Sequence, residues 1–222
     1  MKNPSPRSRL LVMVMCIEGG LGLFALALGW LIDLPAHEGA RFTVRAGVDA
    51  LLATLVLIVF FQLVLRFPIQ PFLRIRVFLE DTVRPMFLHC SIKDMFFVAM
   101  LAGVGEELLF RGLLQRLFSG WWGWEMGVLG SNILFGLAHL ITPMYSVITF
   151  CIGLFLSWTF IATDNLAVPV LIHWFYDFFA LVIFLRFTPP FTTPNGFLDS
   201  TDSRDETHDG SKEDSSSLRT PD

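Results

Sequence analysis

The stretch Gly105-Glu106-Glu107-Leu108-Leu109-Phe110-Arg111 puts two carboxylates and a guanidinium within six residues of an otherwise apolar run, roughly Met95 to Phe118. A run of that length can cross a bilayer as a helix. At the centre of a span each charge costs about 2.5–3.5 kcal/mol on insertion scales, and ionisable residues retained there mark functional sites by default. Helical spacing separates their roles. Glu107 and Arg111, four apart, share a face and can pair, whereas Glu106 points away from the arginine. One carboxylate is then held for structure and one is left to face a cavity. The bland alternative is a buried ion triad that locks the bundle.

Three more polar groups lie in apolar segments. His139 follows Phe135 by four residues, and His173 precedes Asp177 by four, so each pair lies on one helical face. A lone histidine in an apolar helix can be a satisfied core residue, and a His-x-x-x-Asp pair can bond to itself. A Glu, a His and a His/Asp pair on three helices of one small bundle instead fit a polar cavity. A carboxylate in a low-dielectric pocket suits general-base work on water, a histidine beside it can orient that water, and a second histidine can donate to an oxyanion. That is peptide hydrolysis without a covalent intermediate. The same side chains are legitimate zinc ligands, although no His-Glu-x-x-His helix stands behind a metal reading.

The elements that must carry these groups are membrane helices. The 222 residues are 54% hydrophobic with 23 Phe, which describes an all-α polytopic transmembrane bundle of about six spans and leaves no soluble core. The spans are expected near Leu10–Ile32, Ala46–Leu65, Met95–Phe118, Glu125–Ile141, Tyr145–Ala162 and Leu166–Phe187. The first resembles a signal peptide but is too long and has no small-residue cleavage site, so it reads as an uncleaved span. Glu18 within it reads as a structural or snorkelling carboxylate beside a glycine cluster that favours close packing. Between Arg66 and Lys93 an Arg- and Pro-rich stretch with interleaved apolar residues reads as an amphipathic segment lying on the membrane. Trp121, Trp122 and Trp124 read as an interfacial anchor. The boundaries are then 1–93 for two helices and the basic connection, 94–187 for a four-helix core, and 188–222 for a disordered acidic tail.

That tail holds eight acidic and three basic residues, leaving thirteen basic and twelve acidic in the body, so the net charge of −4 says little about the membrane part. Lys2, Arg7, Arg9, Arg66, Arg74, Arg76, Arg84, Lys93 and Arg186 fall on one side of a six-span layout. Arg41, Arg45 and Arg116 fall on the other. The positive-inside rule then puts both termini in the cytoplasm, in the cell's inner (plasma) membrane. Cys16, Cys90 and Cys151 are scattered and odd in number, which gives neither a disulfide framework nor a cysteine zinc site.

Glu106-Glu107-x-x-x-Arg111, Phe135-x-x-x-His139 and His173-x-x-x-Asp177, in this order on successive apolar helices, resemble the CPBP family. These are the type II CAAX prenyl endopeptidases and their bacterial relatives, including bacteriocin-processing and self-immunity proteins. Asn165-Leu166-x-x-Pro169 adds to the likeness, which covers about Phe96 to Leu185. The resemblance implies that Glu106 and His139 activate water, that His173 with residue 177 forms the oxyanion hole, and that Glu107 and Arg111, with Phe135, support the site. One position departs from the pattern: the family often has Asn where this chain has Asp177, and an ionised carboxylate cannot donate to an oxyanion. Asp177 is read here as an acceptor that fixes the tautomer of His173, with protonation or metal ligation as the other options.

The expected partners are the bilayer and a membrane-associated protein or peptide substrate, with no nucleic acid. No cofactor and no metal is expected, zinc being the alternative for a metalloprotease built on the same residues. A non-catalytic immunity or scaffold protein that keeps the fold is the reading from another class. A proton-coupled transporter ranks below both, because no pair of broken helices is evident.

Overall fold

Helix starts in this chain are written with serine, threonine and proline. Ser5, Thr43, Ser91 and Thr142 each accept a backbone N–H from the first turn that follows, and Pro6 and Pro143 open their helices with the backbone angle already set. The computed structural model describes residues 5–191; the remainder of the acidic segment expected to be disordered lies outside the described residues. These residues form seven helices: α1 (Pro6–Leu31), α2 (Val44–Arg66), α3 (Gln70–Phe87), α4 (Ile92–Trp122), α5 (Trp124–Ala138), α6 (Pro143–Thr163) and α7 (Ala167–Phe187). No strand occurs among them.

The architecture is a polytopic helical bundle. Four helices, α1, α2, α6 and α7, are long and apolar enough to cross a membrane, and a fifth span is added if α3 and α4, bent by 116° at their junction, count as one. The expected six also counted the segment of α5, which at 15 residues is shorter than the roughly 20 that a membrane core requires. Side chains such as Leu23, Trp30, Leu52 and Val59 point outward and are more than half exposed, as lipid-facing positions must be.

Two departures from regular α-helix bear on the site. The motif helix widens into a π-helical stretch over Leu108–Gln115, so the plain helix expected from Met95 to Phe118 is interrupted immediately after Glu107. Such stretches put an extra residue into the turn and recur at functional sites. The amphipathic segment α3 has a similar stretch over Leu79–Val83 and buries Ile75 and Phe87 against the bundle. Its inner face is therefore part of the core.

Packing brings the site helices together. α4 lies against both α1 and α7, α2 packs on α7, and α5 packs on α6. The α1–α4 crossing depends on Gly105. A Cβ there would come within 2.2 Å of the Glu18 carbonyl oxygen, so only glycine lets the two backbones approach this closely. At the start of α7, Asn165 bonds to the backbone of Arg41 from both ends of its amide and also accepts from the Ala167 N–H. One side chain thus caps the helix that carries His173 and ties it to the α1–α2 connection.

The entry to α4 is fixed by Asp94. Its carboxylate completes a capping box with Ser91 and takes a two-pronged contact from Arg7 of α1 at 2.6 and 2.8 Å. Arg7 is 51% exposed, so solvent screens the ion pair and the capping bonds carry most of the effect. Asp94→Ala should therefore lower stability by about 1 kcal/mol, the usual worth of a lost cap. A thermal melt in detergent checks this, and Arg7→Ala should shift the midpoint by less.

Candidate active site

Glu106 and Glu107 are adjacent in sequence and opposite in circumstance. The Glu107 carboxylate is wholly buried, accepts from Arg111 at 2.8 Å and lies 2.8 Å from Nδ1 of His173. Glu106 pairs with no arginine. Its Oε2 is buried without a hydrogen-bond partner and stands 3.7 Å from Nε2 of His139. The two glutamates therefore differ in their partners as helical spacing leads one to expect. One oxygen of the first pair, Glu107 Oε2, and Nε of Arg111 are also left without a hydrogen bond.

Arg111 sits within the π-helical stretch and has no exposed surface. Besides Glu107 it donates to Asn132 Oδ1 and to the Gly153 carbonyl, both at 2.9 Å, and its guanidinium lies 4.5 Å above the Phe135 ring. Asn132 in turn donates to Ser157 at 2.7 Å, and Ser157 donates to Gln115 at 2.7 Å. A Cβ at position 153 would come within 2.4 Å of Asn132 Oδ1, so the carbonyl can be offered only from a glycine. This network joins α4, α5 and α6 through charge-assisted bonds in a setting that water cannot satisfy.

His139 lies one residue beyond the end of α5, at its cap, and not within a span as expected. The Thr142-Pro143 pair that opens α6 follows too closely for the helix to continue. The ring nonetheless stays beside Phe135, with centroids 4.7 Å apart and Nδ1 2.9 Å from the Phe135 carbonyl oxygen. A carbonyl only accepts, so Nδ1 carries a proton, and in the neutral ring Nε2 presents a lone pair toward Glu106.

His173 and Asp177 occupy successive turns of α7. Asp177 Oδ2 is 3.5 Å from Nε2 of His173, a looser contact than the 2.8 Å between Glu107 and Nδ1. Glu107 thus makes the shorter contact to this imidazole, and Asp177, expected to hold it, faces the other ring nitrogen. Glu106, Phe135, His139, His173 and Asp177 all line one cavity of about 120 Å³, closed by Tyr145, Thr149 and Tyr176 among others. A larger apolar cavity of about 280 Å³ adjoins it under α3 and shares Tyr145, Ile148, Tyr176 and Asp177.

Asn132, Gln115, Ser157 and the two tyrosines were not singled out from the sequence. Each carried a usable signal, because polar side chains inside apolar spans face the bundle interior. Among the described residues, no three His, Cys, Asp or Glu side chains are placed to share a metal ion. The donor set of the cavity therefore does not fit the zinc alternative as it stands.

Residues 88–179, which hold every one of these motif positions, match the family model described as type II CAAX prenyl endopeptidase Rce1-like. Over that segment the chain is similar to the Rce1-like family. It is similar to the uncharacterized protein YpbD of Bacillus subtilis (strain 168), at 30% identity over 101 residues, covering 42% of this chain and 47% of that protein. It is also similar to an uncharacterized 24.3 kDa protein of Escherichia coli, at 28% identity over 148 residues, or 64% of this chain and 60% of that protein. The chain thus spans about half the length of these relatives. No solved structure matches it.

The burial of Arg111 sets a stability test. Arg111→Ala strands Glu107 in the interior, and breaking a buried pair costs roughly 3–5 kcal/mol. Arg111→Lys should recover little of that, since a point charge cannot reach Glu107, Asn132 and the Gly153 carbonyl together. Both variants should melt well below the wild type in detergent. A wild-type midpoint would refute the structural role.

Proposed function

We propose that this integral membrane protein is an intramembrane endopeptidase that cleaves membrane-associated protein substrates with water activated by Glu106. The observation that carries the reading is the asymmetry of the two glutamates. Glu107 is engaged by Arg111 and His173, while Glu106 lines the cavity with an unpartnered oxygen beside the lone pair of His139. A scaffold has no use for that arrangement. A hydrolase has.

The steps follow from the positions. A water held between Glu106 and His139 loses a proton to the Glu106 carboxylate as its oxygen bonds to the scissile carbonyl carbon. The carbonyl π pair moves to oxygen. When the tetrahedral intermediate collapses, the carbon–nitrogen bond breaks and the proton on Glu106 passes to the leaving amine. His173, held by Glu107, lines the same cavity and helps to shape it. Arg111 and its network hold Glu107, and through it His173, in place.

Glu106→Gln is the direct test. The amide keeps the shape and cannot take a proton, and a general base contributes roughly 10²–10⁴-fold. Cells that express the variant should accumulate membrane-protein precursors that the wild type processes, as read by proteomics of membrane fractions. The variant should insert and melt like the wild type. Retention of more than about a tenth of the activity would sink the assignment.

The orientation belongs to the same reading. We infer from the Lys/Arg bias that both termini are cytoplasmic, which the four unbent spans allow and a fifth span would not. A reporter fused after Phe187 should report cytoplasm, and one placed near Ala36 in the α1–α2 connection should report the opposite side.

A further inference from the structure

Stabilising an oxyanion requires a hydrogen-bond donor, and counting donors in the cavity leaves one conspicuous candidate. The proton on His139 Nδ1 is given to the Phe135 carbonyl. The proton on His173 Nδ1 is directed at Glu107, and any proton on Nε2 has the Asp177 carboxylate 3.5 Å away to compete for it. Asp177 and Glu106, when ionised, only accept. The Thr149 hydroxyl is within hydrogen-bond reach of the Tyr145 and Ser146 carbonyls. Two phenolic O–H groups remain.

The chain has two tyrosines against 23 phenylalanines, and both of them line this cavity. In an apolar bundle phenylalanine fills space equally well, so a tyrosine is distinguished only by its hydroxyl. Neither hydroxyl has a hydrogen-bond partner among the described residues. Of the two, Tyr145 stands beside His139: its ring centroid is 6.4 Å from that of His139, and it lines the same cavity as Glu106 and Asp177. Tyr176 packs edge-on against Phe61 of α2. Tyr145 is also held from its own backbone, in the first turn of α6, where its N–H is capped by Thr142 Oγ1 and its ring rests against Phe78 of α3.

We propose that Tyr145 is a catalytic residue whose phenolic O–H donates to the substrate oxyanion, the task that the Asp177 carboxylate cannot perform. This rests on the endopeptidase reading above. As hydroxide adds to the carbonyl carbon, the negative charge that forms on the carbonyl oxygen is met by the Tyr145 hydroxyl, which keeps its proton throughout. When the carbonyl re-forms and the amine leaves with the proton from Glu106, the bond to Tyr145 relaxes to that of a neutral carbonyl. A donor preset in an enclosed cavity acts more strongly on the transition state than on the ground state.

The test is Tyr145→Phe in the full-length chain, in detergent micelles. The probe is a quenched fluorescent peptide that spans the first cleavage site found by comparing N-terminal peptides of wild-type and Glu106→Gln membranes. Loss of one oxyanion donor costs about 10²–10³ in kcat, so Tyr145→Phe should fall by that factor. KM should stay within about threefold and the melting midpoint should not move, because the hydroxyl makes no bond inside the protein. A variant that keeps more than about a tenth of wild-type kcat, or whose loss lies in KM, overturns the role of Tyr145. So does a variant that melts well below the wild type, which would give the hydroxyl a structural partner. If Glu106→Gln still cleaves the peptide, the general-base reading has failed, and the tyrosine inference falls with it.

Discussion

Everything in the site hangs on a buried arginine. Arg111 has no exposed surface, yet it must be compensated in a medium where water is absent, and the chain meets that demand with a carboxylate, an amide, a carbonyl and an aromatic face drawn from three helices. The pair it forms with Glu107 is not by itself a source of stability, because desolvating two charges costs about as much as their attraction returns. Its value is that it is intolerant of alternatives. Any slip of α5 or α6 relative to α4 would leave a buried charge or a buried amide unmatched.

That intolerance is passed on to His173. Glu107 offers the same oxygen, Oε1, to Arg111 and to Nδ1 of His173, each at 2.8 Å. The guanidinium fixes the carboxylate, the carboxylate fixes the imidazole, and α7 is thereby brought into register with α4. Close backbone contacts make the chain of positions possible. Gly105 lets α1 press against α4 one residue before Glu106, and Gly153 lets a carbonyl reach Arg111. The π-helical stretch that begins at Leu108 lies between the two glutamates and the arginine's neighbours, so the helix changes pitch at the point where its polar groups must face different partners.

Much of this was legible in the chain. Charges in an apolar run announce themselves, and the four-residue spacing of Glu107 and Arg111 survives the change from α to π geometry because the two stay within one turn. The bundle, the apolar spans and the convergence of Glu106, His139, His173 and Asp177 on one cavity followed from the same rule. Other features were hidden for definite reasons. A π-helical stretch has no side-chain period of its own over eight residues. The fraying of α5 before His139 is decided by Pro143 four residues on, a local effect that a hydropathy window averages away. The partner of His173 depended on which of two carboxylates, 70 residues apart in sequence, came nearer, and only packing of α7 against α4 decides that.

Asp177 is best understood through charge placement around His173. With Glu107 on one ring nitrogen and Asp177 facing the other, the imidazole is flanked by two carboxylates, an environment that an amide at 177 would not create. Such a ring is oriented from both sides and its protons are committed, which suits a positioning element better than a freely donating one. On the proposed mechanism, electrostatic stabilisation of an oxyanion comes from a group outside that triad. In a cavity whose remaining lining is Leu57, Ile148, Ile152 and Leu156 together with Phe135 and Thr149, the groups that qualify are hydroxyls. The carboxylate at 177 and the two tyrosines thus line one cavity, in which the carboxylate only accepts and the phenols alone keep an uncommitted proton.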